Sequence, residues 1–278
     1  MTTAIESDTV TELERIAAEI RGQLVQLSHD SGTPHLASSM SCVDVMVALY
    51  WEFVDGDPEQ PDDPDRDRVI LSKGHAAPTL YTCLARRGYI DEEQLEHYNE
   101  AGQYLAEHPS PQHIPGVEVA TGSLGHGLSL GLGMAYAGRH QDRNYDVYTV
   151  LSDGECNEGS VWEAAMLAPS KDLNNVTVIV DFNKWQATGR SQEIMQLDPL
   201  PDKWESFGWQ TFEVDGHDME QVLEAIERAQ NVGDRPSAIV SNTVKGKGVS
   251  FMEDDNNWHY RKPSAEEVKQ AHEELGLL

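Results

Sequence analysis

The chain has 278 residues, of which 39% are hydrophobic and 24% charged, and its 48 acidic and 20 basic residues give a net charge of −28. This composition indicates a folded globular protein of one or two domains, and its charge argues against nucleic acid and anionic membranes as partners. The three cysteines include no closely spaced pair, which argues against a disulfide scaffold and against a cysteine zinc site.

The N-terminal segment is acidic and has apolar residues at helical spacing, which predicts a helix over about residues 9–27. It lacks the basic start and apolar core of a signal peptide. No apolar run reaches the roughly 18 residues of a membrane span. We therefore expect a cytoplasmic protein.

The next part of the chain alternates between helical, turn-rich and short apolar segments. In order, these predict a loop over residues 29–41, an apolar helix over 41–53, a solvated Pro- and Asp-rich loop over 54–68, a buried strand over 68–72, and helices over 74–88 and 91–100.

The second half of the chain contains four strand-like runs: DVYTVLSD, NNVTVIVDF, WQTFEVDG and SAIVSNT. Helical stretches such as MEQVLEAIERAQ lie between them. Strands that are apolar throughout and alternate with amphipathic helices indicate a doubly wound α/β fold, with a mostly parallel sheet and helices on both faces. No linker divides the chain, so we expect one domain over residues 1–278.

Two polar residues follow neighbouring strands at the edge where such sheets bind ligands. Asp153 ends one strand and Asn183 ends the next, a separation of 183 − 153 = 30 residues, the length of one strand–helix–strand unit. With a backbone carbonyl near Trp185, they form an all-oxygen set that suits Mg²⁺ or Ca²⁺. The alternative is that both are ordinary turn residues, because Asp and Asn favour turns.

The text around these residues, SDGECNEGSVWEAAMLA…VIVDFNKWQATG, resembles the thiamine-diphosphate-binding motif of transketolases. The resemblance is greatest to the short N-terminal subunits of split transketolases and runs from about residue 10 to the C-terminus. Further segments match in the same order: GTPHLASSMSCVDVMVALY, VILSKGHAAPTLYTCLARRGY, HIPGVEVATGSLGHGLSLGLGMA, FGWQTFEVDGHD and VKGKGVSFMEDDNNWHY.

The resemblance implies thiamine diphosphate as cofactor, held through Mg²⁺ (Ca²⁺ and Mn²⁺ are alternatives). By analogy, Asp153, Asn183 and the Trp185 carbonyl would bind the metal. The remaining residues with an implied cofactor contact are Gly122, Leu124, Gly154, His75, Glu158 and His259. Ser152 replaces the first Gly of the usual motif, and its small size preserves the turn.

Four histidines match positions of the catalytic cleft: His35, His75, His108 and His259. Imidazole both donates and accepts protons near neutral pH, as carbon–carbon bond cleavage requires. Glu158 also matches a catalytic position, and Glu163 an interface position. His113 is an alternative to His108, and His126 has no assigned role. Lys245 and Lys247 either assist anion binding or are solvated.

The resemblance also implies that this chain is incomplete as an enzyme. In the family, a glutamate in a separate pyrimidine-binding domain activates the cofactor, and the recognised motifs leave no room for that domain here. We therefore expect an α₂β₂ assembly with a C-terminal partner subunit, which transfers a two-carbon ketol unit between sugars or sugar phosphates. The alternatives are a component of secondary metabolism or branched-sugar synthesis with another ketose or a 2-oxo acid as donor, and a non-catalytic binding subunit.

Overall fold

A computed structural model describes residues 7–278 of the chain. The α-helices are α1 (Ser7–Ser31), α2 (Leu36–Ser41), α3 (Val43–Ala48), α4 (Ala77–Arg86), α5 (Gly127–His140), α6 (Gly159–Ser170), α7 (Ser191–Ile194), α8 (Leu200–Ser206), α9 (Met219–Gln230) and α10 (Ala265–Glu274). The strands are β1 (Arg68–Leu71), β2 (Val147–Ser152), β3 (Val176–Phe182), β4 (Trp185–Gln186), β5 (Gly189–Arg190), β6 (Gln210–Asp215) and β7 (Ser237–Asn242).

Five strands form one parallel sheet in the order β1-β2-β3-β7-β6. Successive side chains of a strand point to opposite faces, and in β3 both sets are buried. Val178 and Val180 join the apolar cluster packed by α5, α6 and α8, whereas Ile179 joins the cluster packed by α1, α3 and α9. Helices therefore cover both faces, and the predicted doubly wound α/β fold is confirmed.

Two sequence predictions differ from the observed elements near the N-terminus. The predicted loop over residues 29–41 contains α2, all six residues of which are buried. Tertiary packing thus overrides a Ser-rich sequence with little helical preference. The apolar helix predicted over residues 41–53 ends at Ala48 and continues as a π-helical turn, Leu49–Phe53.

Of three other helices, one agrees with its prediction, one is shorter than predicted and one has no predicted counterpart. α9 spans the predicted amphipathic segment, and the Asp218 carboxylate caps it by accepting a hydrogen bond from the Gln221 amide. The predicted helix over residues 91–100 is a shorter 3₁₀ segment, Glu92–His97. Helix α5 has no predicted counterpart, because its four glycines lower the helical preference of the sequence and interrupt the apolar spacing. Within residues 7–278, no helix is both long and apolar enough to cross a membrane.

Candidate active site

A pocket of about 450 Å³ lies at the carboxyl ends of β1, β2 and β3. Every site residue predicted from the sequence lines it except Asp153, which is fully buried beside Gly154. The residues brought together are His35, His75, His108, Gly122, Leu124, Gly154, Glu158, Asn183, Trp185 and His259. The doubly wound topology thus gathers segments that are distant in the chain.

The Asp153 carboxylate begins the 3₁₀ turn that follows β2. Its Oδ1 accepts a hydrogen bond from the Gly154 amide at 2.9 Å, and its Oδ2 accepts from the Lys184 amide at 3.0 Å and the Ser191 hydroxyl at 2.7 Å. Burial raises the pKa of Asp153 to about 7, although the Ser191 hydrogen bond opposes the rise. An ionised carboxylate is therefore costly here unless a cation is nearby.

Asn183 follows β3, the neighbour of β2 in the sheet. Its Oδ1 accepts a hydrogen bond from the Trp185 amide at 3.0 Å, which ties it to the β4–β5 hairpin. Within residues 7–278, no three His, Cys, Asp or Glu side chains are placed to hold a metal ion. A cation at Asp153 would therefore need amide or carbonyl oxygens as further ligands, and Asn183 and the Trp185 backbone can offer them.

Close backbone approach shapes the wall that carries Gly122. Gly122 has φ +130, and a Cβ added there would lie 2.5 Å from the His108 ring. A Cβ at Gly74 would lie 2.5 Å from the Gly122 amide nitrogen. Glycine is required at both places, since any side chain would close the gap between the two loops and the His108 ring.

Glu155 organises this wall, a role that sequence analysis did not assign. Its buried carboxylate accepts hydrogen bonds from the Ser72 hydroxyl, the Gly125 amide at 2.9 Å and the Ser152 amide at 2.8 Å. It thereby joins the ends of β1 and β2 to the loop that carries Leu124. The spacing Ser152-x-x-Glu155 is a capping box, a signal that could have identified it.

Three of the four predicted histidines form a cluster. The His35 ring centroid lies 5.4 Å from that of His75 and 4.9 Å from that of His259. Burial lowers the pKa of all three, that of His259 to about 3, and Lys73 or Lys245 contributes to each shift. The imidazoles are therefore neutral near pH 7, so each ring has one N–H donor and one nitrogen acceptor.

Lys245 and Lys247, each predicted either to assist anion binding or to be solvated, have different environments in the structure. Lys245 is buried, and its Nζ donates to Asn256 Oδ1 at 2.8 Å and His259 Nδ1 at 3.0 Å. The donated bond leaves the proton of neutral His259 on Nε2. Burial, with Lys73 nearby, lowers the pKa of Lys245 to about 8. Lys247 instead lies near Glu253 with 38% of its side chain exposed.

A second buried lysine, Lys73, also escaped the sequence analysis. It forms a fully buried ion pair with Asp181, and its Nζ donates to the Ser38 carbonyl at 2.7 Å. Burial alone would raise the pKa of Asp181, but the neighbouring Lys73 cation lowers it below its ordinary value. The contact joins residues 108 positions apart, which no local sequence signal could reveal.

Of the five remaining candidates, two line the pocket and three are exposed outside it. Glu158 precedes α6 and lines the pocket, whereas Glu163 is exposed on α6. His108 lines the pocket, and its alternative His113 is exposed against Tyr104 at 5.1 Å between ring centroids. His126 is exposed, with Nδ1 at 3.1 Å from the Leu124 carbonyl, where it can brace the loop.

The depressed pKa of His259 predicts that acid destabilises the chain through this residue. A histidine whose folded-state pKa lies below its ordinary value contributes full stability above about pH 6.5 and loses it as pH falls toward 3. Because His259 is only half-buried, we expect a modest effect, about 1 kcal/mol between pH 7 and pH 5. Urea unfolding at both values should show a smaller loss in His259→Gln than in wild type.

The exposed His97, with 53% of its side chain accessible, provides the matched control. The variant His97→Gln should lose as much stability as wild type between the two pH values. Equal losses in His259→Gln and wild type would show that His259 does not resist protonation.

Comparison with known proteins gives one consistent result. Residues 14–278 match the family model described as transketolase, thiamine diphosphate binding domain. The chain is 37% identical to a subunit of the apulose-4-phosphate transketolase of Phocaeicola vulgatus, over 96% of this chain and 94% of that one. It is 39% identical to a 6-deoxy-6-sulfo-D-fructose transketolase subunit of a Clostridium species, over 97% and 98% of the two chains.

Solved structures agree with these matches. The transketolase of Leishmania mexicana superposes with a TM-score of 0.90 at 26% identity, covering 95% of this chain and 41% of that one. The transketolase of Campylobacter jejuni superposes with a TM-score of 0.89 at 26% identity, covering 98% of this chain and 43% of that one. The chain therefore spans about two fifths of the length of these solved enzymes.

Proposed function

The chain belongs to the transketolase family, and from this we propose that it is the diphosphate-binding subunit of a two-chain transketolase. In this proposal the assembled enzyme moves a two-carbon ketol unit from a ketose to an aldose. One observation carries it: Asn183 and a cluster of neutral histidines line a single pocket at the strand ends, and the buried Asp153 carboxylate lies directly beside the pocket residue Gly154. The resemblance found in the sequence agrees with the family match.

The residues present fit thiamine diphosphate with a divalent cation. Asp153 is a buried carboxylate that lacks a cation in direct contact among residues 7–278, and Asn183 and Trp185 can complete an oxygen set. Gly122 and Gly154 line the pocket, and because they carry no side chain a phosphate group can approach the backbone closely there. We propose Mg²⁺ as the metal, because it is commonly shared between one or two protein oxygens and substrate phosphates.

The protein's own groups would perform binding and proton transfer. When bound, thiamine diphosphate supplies an electron sink for the carbanion formed on carbon–carbon cleavage. His259, with its proton on Nε2, can donate to a sugar oxygen, and Lys245 beside it adds positive charge toward the diphosphate. We propose that His35, His75 and His108 bind donor hydroxyls or cofactor phosphate and exchange protons with them, as neutral imidazoles can.

The donor is proposed to be a ketose with an anionic end. The relatives' names specify a ketose phosphate and a sulfonated ketose. Within residues 7–278, no arginine or lysine lines the pocket, since Lys245 lies behind His259. We therefore expect the second chain to hold the anionic end of the donor. A 2-oxo acid donor fits the histidine cluster less well, because it offers fewer hydroxyl groups.

The exposed apolar face of α5 and α6 supports the need for a partner. Leu130 and Tyr136 on α5 and Met166 and Leu167 on α6 are between 41% and 53% exposed. Both helices begin at pocket-wall segments, so a chain that covers the pocket from this side also covers this face. Clustered exposed apolar side chains mark interaction surfaces. We propose that this face packs against the partner chain.

A two-carbon transfer assay tests the proposed function. The chain and its proposed partner would be co-purified and incubated with thiamine diphosphate, Mg²⁺, a ketose phosphate and an aldose phosphate. Mass spectrometry should show an acceptor lengthened by two carbons and a donor shortened by two. Cofactor-dependent cleavage of a 2-oxo acid instead, with no shortened ketose, would contradict the proposal.

Replacement of Asp153 by asparagine is expected to weaken cofactor binding at limiting Mg²⁺ by at least about 10-fold. A neutral amide replaces a charged oxygen ligand of similar shape, so the fold should persist. Titration of the assembled complex with thiamine diphosphate measures the effect, and Asp202→Asn on the exposed surface of α8 is the control. Equal affinities in Asp153→Asn and the control would remove Asp153 from the metal site.

A further inference from the structure

Glu107 faces the histidine cluster but has no role in the site described above. Its Oε1 lies 3.4 Å from Nδ1 of His35, and 34% of its side chain is exposed. Within residues 7–278, Glu107 forms no ion pair with a lysine or arginine, and Nδ1 of His35 is a buried nitrogen that lacks a well-aligned hydrogen bond. The buried Nδ1 of His35 therefore has the Glu107 carboxylate as its neighbouring acceptor.

Hydrogen bonds anchor the backbone on both sides of the contact between Glu107 and His35. His35 adopts a left-handed conformation, φ 70, and its amide donates to the His259 carbonyl at 2.9 Å. The Tyr81 hydroxyl donates to the Ala106 carbonyl at 3.0 Å, which anchors the segment before Glu107. A left-handed histidine held by such contacts is typical of a functional site.

We propose that Glu107 is a positioning residue whose carboxylate accepts a hydrogen bond from Nδ1–H of His35, leaving Nε2 unprotonated and facing the pocket. Carboxylates commonly fix the tautomer and orientation of a functional histidine in this way. Burial keeps the His35 ring neutral, although Glu107 opposes that effect. A neutral ring with Nδ1 protonated has Nε2 as its only acceptor.

This inference rests on the proposed function and defines its substrate class further. An Nε2 acceptor in the pocket pairs with a hydroxyl group, which can donate, and not with a carbonyl or carboxylate oxygen. A ligand without that hydroxyl would leave Nε2 unpaired, which is costly in a partly dry site. The negative charge of Glu107 also repels a carboxylate. The Glu107–His35 pair therefore selects polyhydroxylated ketoses against 2-oxo acids.

Nitrogen NMR of the full-length chain, labelled with ¹⁵N at histidine, tests the pairing directly. His35 should show a protonated Nδ1 and an unprotonated Nε2 in wild type at pH 7.5. The variant Glu107→Ala should shift His35 toward the Nε2–H form, whereas Glu107→Gln keeps an acceptor oxygen and should retain the wild-type form. Glu96→Ala, at an exposed position of the neighbouring 3₁₀ segment, is the control.

Kinetics of the assembled enzyme give the functional readout. In Glu107→Ala, kcat/KM for a ketose donor should fall about 10-fold, the worth of one charge-assisted hydrogen bond. The discrimination of ketose against pyruvate should fall with it. A His35 proton on Nε2 in wild type, or one tautomer ratio shared by wild type and Glu107→Ala, would overturn the proposal.

The NMR and kinetic measurements distinguish failure of this inference from failure of the proposed function. The NMR measurement needs no cofactor, partner or turnover. If the assembled wild-type enzyme transfers no ketol unit, the proposed function is contradicted, whereas the tautomer result still decides the role of Glu107.

Discussion

The purified chain by itself is expected to show no ketol transfer, and activity should appear when a chain carrying a pyrimidine-binding domain is added. Two relatives are named as transketolase subunits, and this chain covers 94% of the length of one and 98% of the length of the other. In the family, a glutamate of the second domain activates the cofactor. We propose that the partner brings this carboxylate, so the cofactor on one chain alone stays inactive.

The shape of the pocket agrees with a site shared between chains. Tyr260 lies 4.7 Å from His259 between ring centroids and is 67% exposed, so one wall of the histidine cluster is uncovered. An open site admits water, which weakens the electrostatic interactions that stabilise charge during the reaction. We therefore expect cofactor affinity, as well as turnover, to rise on assembly.

The measurement is a transfer assay of each chain alone and of the mixture, with the mass of each species determined in solution. We expect an α₂β₂ complex with two composite sites. A Leu167→Asp variant, altered on the exposed face of α6, should assemble poorly and lose activity in proportion. Robust thiamine-dependent transfer by this chain alone, as a monomer or homodimer, would refute the two-chain proposal.

Loss of His75 or His259 is expected to lower turnover of the assembled enzyme by about 10²–10⁴-fold, the usual contribution of one general acid–base group. Both rings line the pocket and are held neutral by burial and nearby lysines. Alanine removes both the donor and the acceptor. Steady-state assays of His75→Ala and His259→Ala with a ketose donor measure the effect.

A folding control is needed because His75 is largely buried. His75→Gln preserves polarity and most of the volume, and thermal unfolding of each variant identifies any loss of structure. His97→Ala, at an exposed position of the 3₁₀ segment Glu92–His97, should retain full activity. Wild-type rates in both active-site variants would mean that these histidines serve only the structure.

The sequence was a good guide wherever a signal is local. The strand ends that place Asp153 and Asn183 side by side follow from apolar runs and from the 30-residue spacing, and β2 and β3 are indeed neighbours. Helix α9 follows from its amphipathic pattern, and its Asp218 cap is a further local feature that the structure shows. Such features depend on residues within a few turns of each other, which a single sequence records directly.

The sequence was a poor guide where burial and distant contacts decide. The sequence leaves Lys245 open between anion binding and solvation and gives no signal for Lys73, yet each is a buried cation because partners from other segments surround it. Helix α2 forms although its sequence favours a loop, because its side chains complete the core. The Glu107–His35 contact joins two turn-rich segments, and no spacing rule relates such segments.

The burial of Lys73 and Lys245 has a consequence for how fast an anionic ligand arrives. Lys73 is neutralised by its ion pair with Asp181 and Lys245 is a single buried cation, so neither offsets the net charge of −28 at the surface. A diphosphate in solution is therefore repelled during its approach and attracted only after it enters the pocket. Salt screens the repulsion from the surface charge, with a screening length of about 10 Å at 0.1 M, and affects buried charges less. Capture of the diphosphate should accordingly become faster as ionic strength rises, the reverse of the behaviour expected for a protein that steers anions with exposed lysines and arginines.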